Sequence, residues 1–328
     1  MNEANWGISP EQVKKAIHFA KKGSATGTNG CPYELWKLLA TQFEEAKRDE
    51  KEGFDIIGAL TTVYTDISTH GVDEQVGFTN GWMCPIYKKK DPTEICNYRP
   101  ITLLNTDYKL LTKVLAIQLM DPIHTLVHPD QAGFIPQRSI FNHIRLAKAI
   151  INYTEVMEEN GVIVALDQEK AYDKIRHNYL WAMLESFGLP PHFTKTVKAL
   201  YQNAHTQVAI NGVLSHPFKV THGVRQGDPL SCPLFDLAIE PLACKLRNDP
   251  EVHGLSIPRL KDKLVINLFA DDTTLYLSDK DSFDTIEPKL KAWCDTSGAK
   301  FNIEKTEIIP LGTQTHRNAV ITTRKISP

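Results

Sequence analysis

Residues 264–278 read LVINLFADDTTLYLS. Two β-rich runs flank a tight Asp271-Asp272 pair, which predicts a hairpin with both acids at its tip. The stretch GVIVALD (161–167) is a short, β-branched, apolar run that ends on an acid. It predicts a buried strand carrying Asp167 at its exit. If that strand neighbours the hairpin at the centre of one sheet, the three carboxylates meet. Carboxylates at strand exits suit a hard divalent cation such as Mg²⁺, which prefers oxygen donors. Such ions serve phosphoryl transfer. An Asp-Asp turn and an Asp after an apolar strand are each commonplace, so spacing alone reaches only a metal site in an α+β fold.

Working outward, Ser9-Pro10-Glu11-Gln12 starts a helix: Ser9 caps, Pro10 takes the first turn, Gln12 completes a capping box and Gly23 ends it. GSATGTNGCP follows as a loop. WMCPIYKKKDPTEICNYRPITLL (82–104) predicts two extended pieces around a basic turn, since Pro85, Pro92 and Pro100 forbid one helix. Helical spacing covers 107–120 and Ser139–Glu159, the latter stopped by Asn160-Gly161. Further helices are predicted at 177–187, 191–203, 233–247 and 282–297, and a strand at 301–309. Asn211-Gly212 marks a hairpin. Local hairpins and helices without strict βαβ alternation indicate an α+β fold.

The 328 residues suffice for one large or two coupled domains. No run of about 18 apolar residues suggests a membrane span. No signal-peptide core opens the chain. Six scattered cysteines without a CxxC pair read as free thiols in a reducing, intracellular setting, nuclear or cytoplasmic. Twelve histidines show no metal spacing. The net charge of −2 counts mildly against a nucleic-acid binder. Lys88, Lys89, Lys90, Arg99, Lys109 and Lys113, however, concentrate positive charge in one stretch.

The stretches GTNGCPYELWK, PIYKKKDPTEICNYRPITLLN, HPDQAGFIPQRSI, LDQEKAYD, GVRQGDPLSCPLF, FADD and NIEKTEII occur in this order. Together they resemble the reverse transcriptases of non-LTR (LINE-type) retrotransposons, from about residue 20 to 312. RQGDPLS is the wording of that type. The resemblance implies a right-hand polymerase with fingers and palm, the palm ferredoxin-like with an antiparallel sheet. It places an N-terminal helical extension at 1–75, fingers at 76–160, palm at 161–312 and a tail at 313–328. The family continues into a helical thumb, and no such segment is expected within this chain.

The resemblance also implies roles for single residues. Asp167, Asp271 and Asp272 match the metal-binding carboxylates, with the Gln168 main-chain carbonyl as a further ligand for two Mg²⁺ ions, or Mn²⁺ in their place. Ala171 and Tyr172 lie where the incoming sugar sits, the tyrosine ring excluding a 2′-hydroxyl. Arg99 and Lys88 or Lys89 match residues gripping the triphosphate, Arg by forked hydrogen bonds and Lys as a point charge. Gln226 and Gly227 pack under nucleotide and template base. Lys305 is the palm lysine, a candidate proton donor to pyrophosphate. Arg138 and Arg225 are expected on the template, and Phe269 under the hairpin and primer end. Partners are then an RNA template, a DNA primer and dNTPs, with no membrane.

Two departures stand out: Thr28-Asn29 replace a Pro-Asp wording, and Gln168 stands where an aromatic is frequent. The alternative function is a thumb-less, inactive remnant that only binds nucleic acid.

Overall fold

The structure is a computed structural model that describes residues 6–257 and 263–323. In chain order its elements begin with α1 (Pro10–Phe19), α2 (Tyr33–Arg48), α3 (Ile56–His70), β1 (Gly81–Tyr87), β2 (Tyr98–Leu104) and α4 (Thr106–Met120). Next come α5 (Ile123–Leu126), α6 (Ile140–Val156), β3 (Gly161–Gln168), α7 (Ala171–Lys174), α8 (His177–Ser186) and α9 (Pro191–Gln202). The chain continues through β4 (His205–Ile210), β5 (Val213–Leu214), β6 (Phe218–Lys219) and α10 (Ser231–Asn248). It closes with β7 (Ile266–Phe269), β8 (Asp272–Ser278), α11 (Phe283–Ser297), β9 (Phe301–Leu311) and α12 (Gln314–Thr323). Among the described residues no helix is long and apolar enough to cross a membrane.

Two compact units emerge. The first holds the described residues up to Asp121 together with Trp181–Ser231, and the second holds Pro122–Leu180 together with Cys232 onward. These units cut across the contiguous spans expected from sequence (1–75, 76–160, 161–312 and 313–328). The reason is a long-range strand pairing: β4 lies parallel to β1, with Gly81 against Thr206, and draws its segment into the first unit. Residues 314–323 of the expected tail form α12. Residues 324–328 of that tail lie outside the described residues.

In the first unit, α1 carries the expected capping box. Ser9 Oγ accepts from the Gln12 amide at 3.3 Å, and Gln12 Oε1 accepts from the Ser9 amide at 3.2 Å. The helix ends at Phe19, short of Gly23. β1 and β2 pair antiparallel from Gly81↔Leu104 to Tyr87↔Tyr98, the two extended pieces read from sequence. Asn211 and Gly212 have φ of 52° and 79°, as a two-residue hairpin turn demands. Asn105 pins the loop before α2: its Oδ1 accepts from Thr28 Oγ1 (3.2 Å) and the Asn29 amide (3.1 Å).

The second unit is built on a four-stranded sheet of order β7-β8-β3-β9. Every pairing in it is antiparallel. With helices between β3 and β7 and between β8 and β9, this is the ferredoxin-like βαββαβ arrangement. β3 is central and buried along nearly its whole length. Ile163 joins Ile150, Leu255, Leu264, Tyr276 and Leu311 in one apolar cluster. Each such side chain contributes about 1.5–3 kcal/mol by leaving water. α6 stops at Val156, before Asn160-Gly161. Asn160 instead accepts the Thr313 amide at 3.0 Å.

α10 carries an acid inside this unit. Asp236 is fully buried, and neither carboxylate oxygen has a hydrogen-bond partner. Burial pushes its carboxyl up to about 8; the Arg138 charge opposes the shift and Glu240 adds to it. A carboxyl that binds its proton more tightly when folded stabilises the fold below the ordinary Asp range. That contribution is lost as pH rises from about 4 to about 8. Asp236→Asn stays neutral throughout. Its melting temperature is therefore expected to fall less than wild type between pH 6 and 9, as measured by thermal denaturation.

Candidate active site

The β3–β8 register runs from Gly161↔Ser278 to Leu166↔Thr273. Continued one step past its last pair, this register aligns Asp167 with Asp272 at the end of the sheet, and the two acids are close enough for their charges to interact. Partial burial raises the Asp272 carboxyl above its usual range, and the Asp167 charge raises it further. Asp167 Oδ2 in turn receives Lys305 Nζ at 3.1 Å. That contact depends on an irregularity in β9. Ala165 pairs with Glu307, but Asp167 pairs with Asn302, so residues 303–306 bulge and carry Lys305 toward the carboxylate.

The hairpin differs by one residue from its expected form. Phe269 pairs with Asp272, so the two-residue turn is Ala270-Asp271 and Asp272 already opens β8. Ala270 has φ of 55°, a left-handed conformation that costs a non-glycine residue about 1 kcal/mol. Two buried glutamines hold this turn. Gln131 Oε1 accepts from the Ala270 amide at 2.9 Å, and its Nε2 donates to the Ala270 carbonyl at 3.4 Å. Gln168 Nε2 donates to the Asp271 carbonyl at 3.1 Å. Gly133 lies so close that an added Cβ would stand 2.2 Å from the Ala270 nitrogen. Sequence reading missed Gln131 and Gly133, although both lie in HPDQAGFIPQRSI. A glycine inside an otherwise extended, bulky stretch was the available signal of a close backbone approach.

Tyr172 is the second residue of α7, shortly after β3 ends. Its ring stacks on Phe235 with centroids 4.6 Å apart and planes at 21°. Burial raises its phenol well above the usual range, with Cys232, Asp236 and Asp271 adding to the shift. Ala171 is buried at the first position of α7. Phe269 is half-buried at the end of β7. Arg138, expected on template backbone, spends its guanidinium on the protein. It donates to the carbonyls of His128 (2.6 Å), Gln131 (2.8 Å) and Val127 (3.0 Å).

In the first unit, Lys88, Lys89 and Arg99 are all exposed at the loop end of the β1–β2 hairpin, where Arg99 faces Ile86. Gly227 has φ of 100°, and an added Cβ would meet the Thr102 carbonyl at 2.9 Å. Gln226, its neighbour, precedes this tight approach. Arg225 corrects an expectation: it is 4% exposed, so it presents no surface to a template. Its guanidinium donates to the Thr79 carbonyl and lies 5.3 Å over the Tyr108 ring. A cleft of about 240 Å³ is lined by Lys21, Lys109, Lys113, Tyr33 and Gly227 among others. Burial lowers the Lys109 pKa, and its Nζ donates to the Ala25 carbonyl at 3.2 Å.

Among the described residues, no three acidic, His or Cys side chains are gathered as a closed metal cage. Of the expected set of Asp167, Asp271, Asp272 and the Gln168 carbonyl, Asp167 ends β3, Asp272 opens β8 and Asp271 stands in the adjoining turn. What the fold delivers is an all-oxygen pair, Asp167 and Asp272, whose mutual repulsion a cation would relieve. Polymerase-type Mg²⁺ sites use one or two carboxylates plus substrate phosphates rather than an all-protein cage, so these residues fit a divalent ion.

A ferredoxin-like sheet carrying acids at the β3 exit and at a hairpin turn defines a right-hand polymerase. A telomerase structure from Candida tropicalis, in complex with a fragment of telomeric RNA, shares the fold. Its TM-score is 0.51 at 14% identity, covering 85% of this chain and 45% of that one. A family model described as reverse transcriptase (RNA-dependent DNA polymerase) matches residues 87–317. The chain is 34% identical over 219 residues to the transposon TX1 uncharacterized 149 kDa protein of Xenopus laevis, covering 67% of this chain and 17% of that protein. It is 27% identical over 209 residues to the retrovirus-related Pol polyprotein from type-2 retrotransposable element R2DM of Drosophila melanogaster, covering 64% and 19%. The chain thus spans less than a fifth of the length of these two relatives. It belongs to the reverse transcriptase family, in the form carried by LINE-type retrotransposons.

Asp167→Asn removes the charge beside Asp272 and also frees Lys305. The Asp272 carboxyl is expected to titrate lower in this variant, which side-chain carbon NMR against pH measures directly.

Proposed function

We propose that this chain is the catalytic core of an RNA-directed DNA polymerase, adding deoxynucleotides to a DNA 3′-hydroxyl on an RNA template. The observation that carries the reading is the strand register that sets Asp167 beside Asp272, next to a turn holding Asp271. Asp167, Asp271, Asp272 and the Gln168 carbonyl would hold the divalent ions, two Mg²⁺ or Mn²⁺. Held by these residues, divalent ions would supply charge neutralisation on the transferring phosphoryl group and activation of the 3′-hydroxyl.

The remaining roles belong to the chain itself. Tyr172, its ring set by Phe235, is the wall against a 2′-hydroxyl, with Ala171 beneath the sugar. Lys305 is placed near a catalytic acid, where an ammonium can give its proton to departing pyrophosphate. Arg99, Lys88 and Lys89 are exposed and rich in donors, as triphosphate binding requires. Gln226 and Gly227 serve nucleotide and template base, and Phe269 supports the primer end. The names fingers for 76–160 and palm for 161–312 come with the same reading. The lysine-lined cleft around Gly227 supports an RNA or DNA backbone as partner, since phosphate contact is a local matter of Lys and Arg placement. Six free cysteines suit a reducing, nuclear or cytoplasmic setting.

The test is extension of a DNA primer on an RNA template by the purified protein with and without Mg²⁺. Extension is expected with the ion, and Asp271→Asn is expected to reduce it to background. Template–primer binding without any extension would favour the remnant reading. Tyr172→Ala is expected to raise incorporation of ribonucleotides relative to deoxynucleotides; unchanged sugar selectivity would remove Tyr172 from its role.

A further inference from the structure

We infer that Gln131 is a positioning residue for the catalytic acids, acting with Gln168 as a clamp on the Ala270-Asp271 turn. The inference rests on the polymerase reading for its kinetic consequence, but its geometry stands apart from it.

The segment around Gln131 makes an isolated parallel bridge to the free edge of β7, with Gln131 opposite Leu268. Leu268 donates its amide to the Asp130 carbonyl, and Ala132 donates to the Leu268 carbonyl, both at 2.8 Å. This pairing brings Gln131, which is fully buried, against the turn. Its side chain engages both polar main-chain groups of Ala270, while Oε1 also accepts from the Gly133 amide at 2.8 Å. Arg138 braces the same segment by donating to the Gln131 carbonyl. From the other side, Gln168 on β3 holds the Asp271 carbonyl and reaches Thr273 Oγ1 at 3.4 Å.

The physical need is clear. Ala270 must stay left-handed for Asp271 and Asp272 to leave the turn in their observed directions, and alanine does not favour that conformation. Hydrogen bonds to both its amide and its carbonyl over-determine the backbone there. Gly133 admits the close approach because it has no Cβ.

Two measurements test the proposal on the whole chain. Hydrogen exchange should show the Ala270 amide protected in wild type and released in Gln131→Met, with the Val164 amide of β3 protected in both. In primer extension, Gln131→Met should lower kcat roughly 10- to 100-fold, the scale of a small misplacement of reacting groups. The KM for dNTP should stay unchanged. Adding Ala270→Gly, which adopts positive φ without strain, should restore much of that kcat. Rapid exchange at Ala270 in wild type would overturn the clamp. So would an unchanged kcat, or a loss that follows melting temperature and is not relieved by Ala270→Gly. If wild type itself extends no primer, the polymerase reading fails, and the exchange measurement alone decides the clamp.

Discussion

β3 makes main-chain hydrogen bonds to β8 on one side and β9 on the other, and the second unit depends on that double pairing. The strand is also buried on both faces, which demands apolar side chains on each. Val162, Ile163, Val164 and Leu166 meet the requirement. The pairing also fixes where the strand ends relative to its neighbours. Because side chains alternate across a strand, a slip of one residue would turn Asp167 to the opposite face. The apolar cluster around Ile163 therefore does more than stabilise the fold. It locks the register that aligns two acids at one edge.

Crowding two carboxylates is unfavourable, and the structure shows how the cost is contained. Asp167 is met by Lys305 from the β9 bulge. Asp272 remains at the rim and is pushed toward its protonated form. The arrangement is thus primed for a positive charge, which an exposed lysine meets only in part because water screens it. The strained turn between β7 and β8 is the second cost. It is offset by hydrogen bonds from side chains remote in sequence rather than by a glycine at the turn.

Membership of a motif does not by itself leave a side chain exposed. Arg225 and Arg138 both lie in stretches that carry the family resemblance, yet the Arg138 guanidinium is committed to three main-chain carbonyls and that of Arg225 is buried against the Thr79 carbonyl and the Tyr108 ring. A guanidinium has five donors in a rigid fork, so it satisfies several otherwise unpaired carbonyls at once. Lys88, Lys89 and Arg99 are the opposite case, being exposed at a hairpin end.

Much of the local structure was legible in the sequence because it is written in short-range chemistry. The Ser9 capping box, the Asn211-Gly212 turn and the two β-rich runs around Asp271-Asp272 each depend on a few adjacent residues. So did the apolar strand ending in Asp167, and the ordered motifs that placed the chain in its family. Other features required the folded chain. The parallel pairing of β4 with β1 interleaves the two units, and no local pattern announces it. The bulge that delivers Lys305, the burial of Arg225 and the grip of Gln131 on Ala270 join residues far apart in the chain. Local propensity and periodicity carry no term for such contacts. They are decided by which backbone groups are left unpaired once the sheets have formed, and that is a property of the tertiary structure alone.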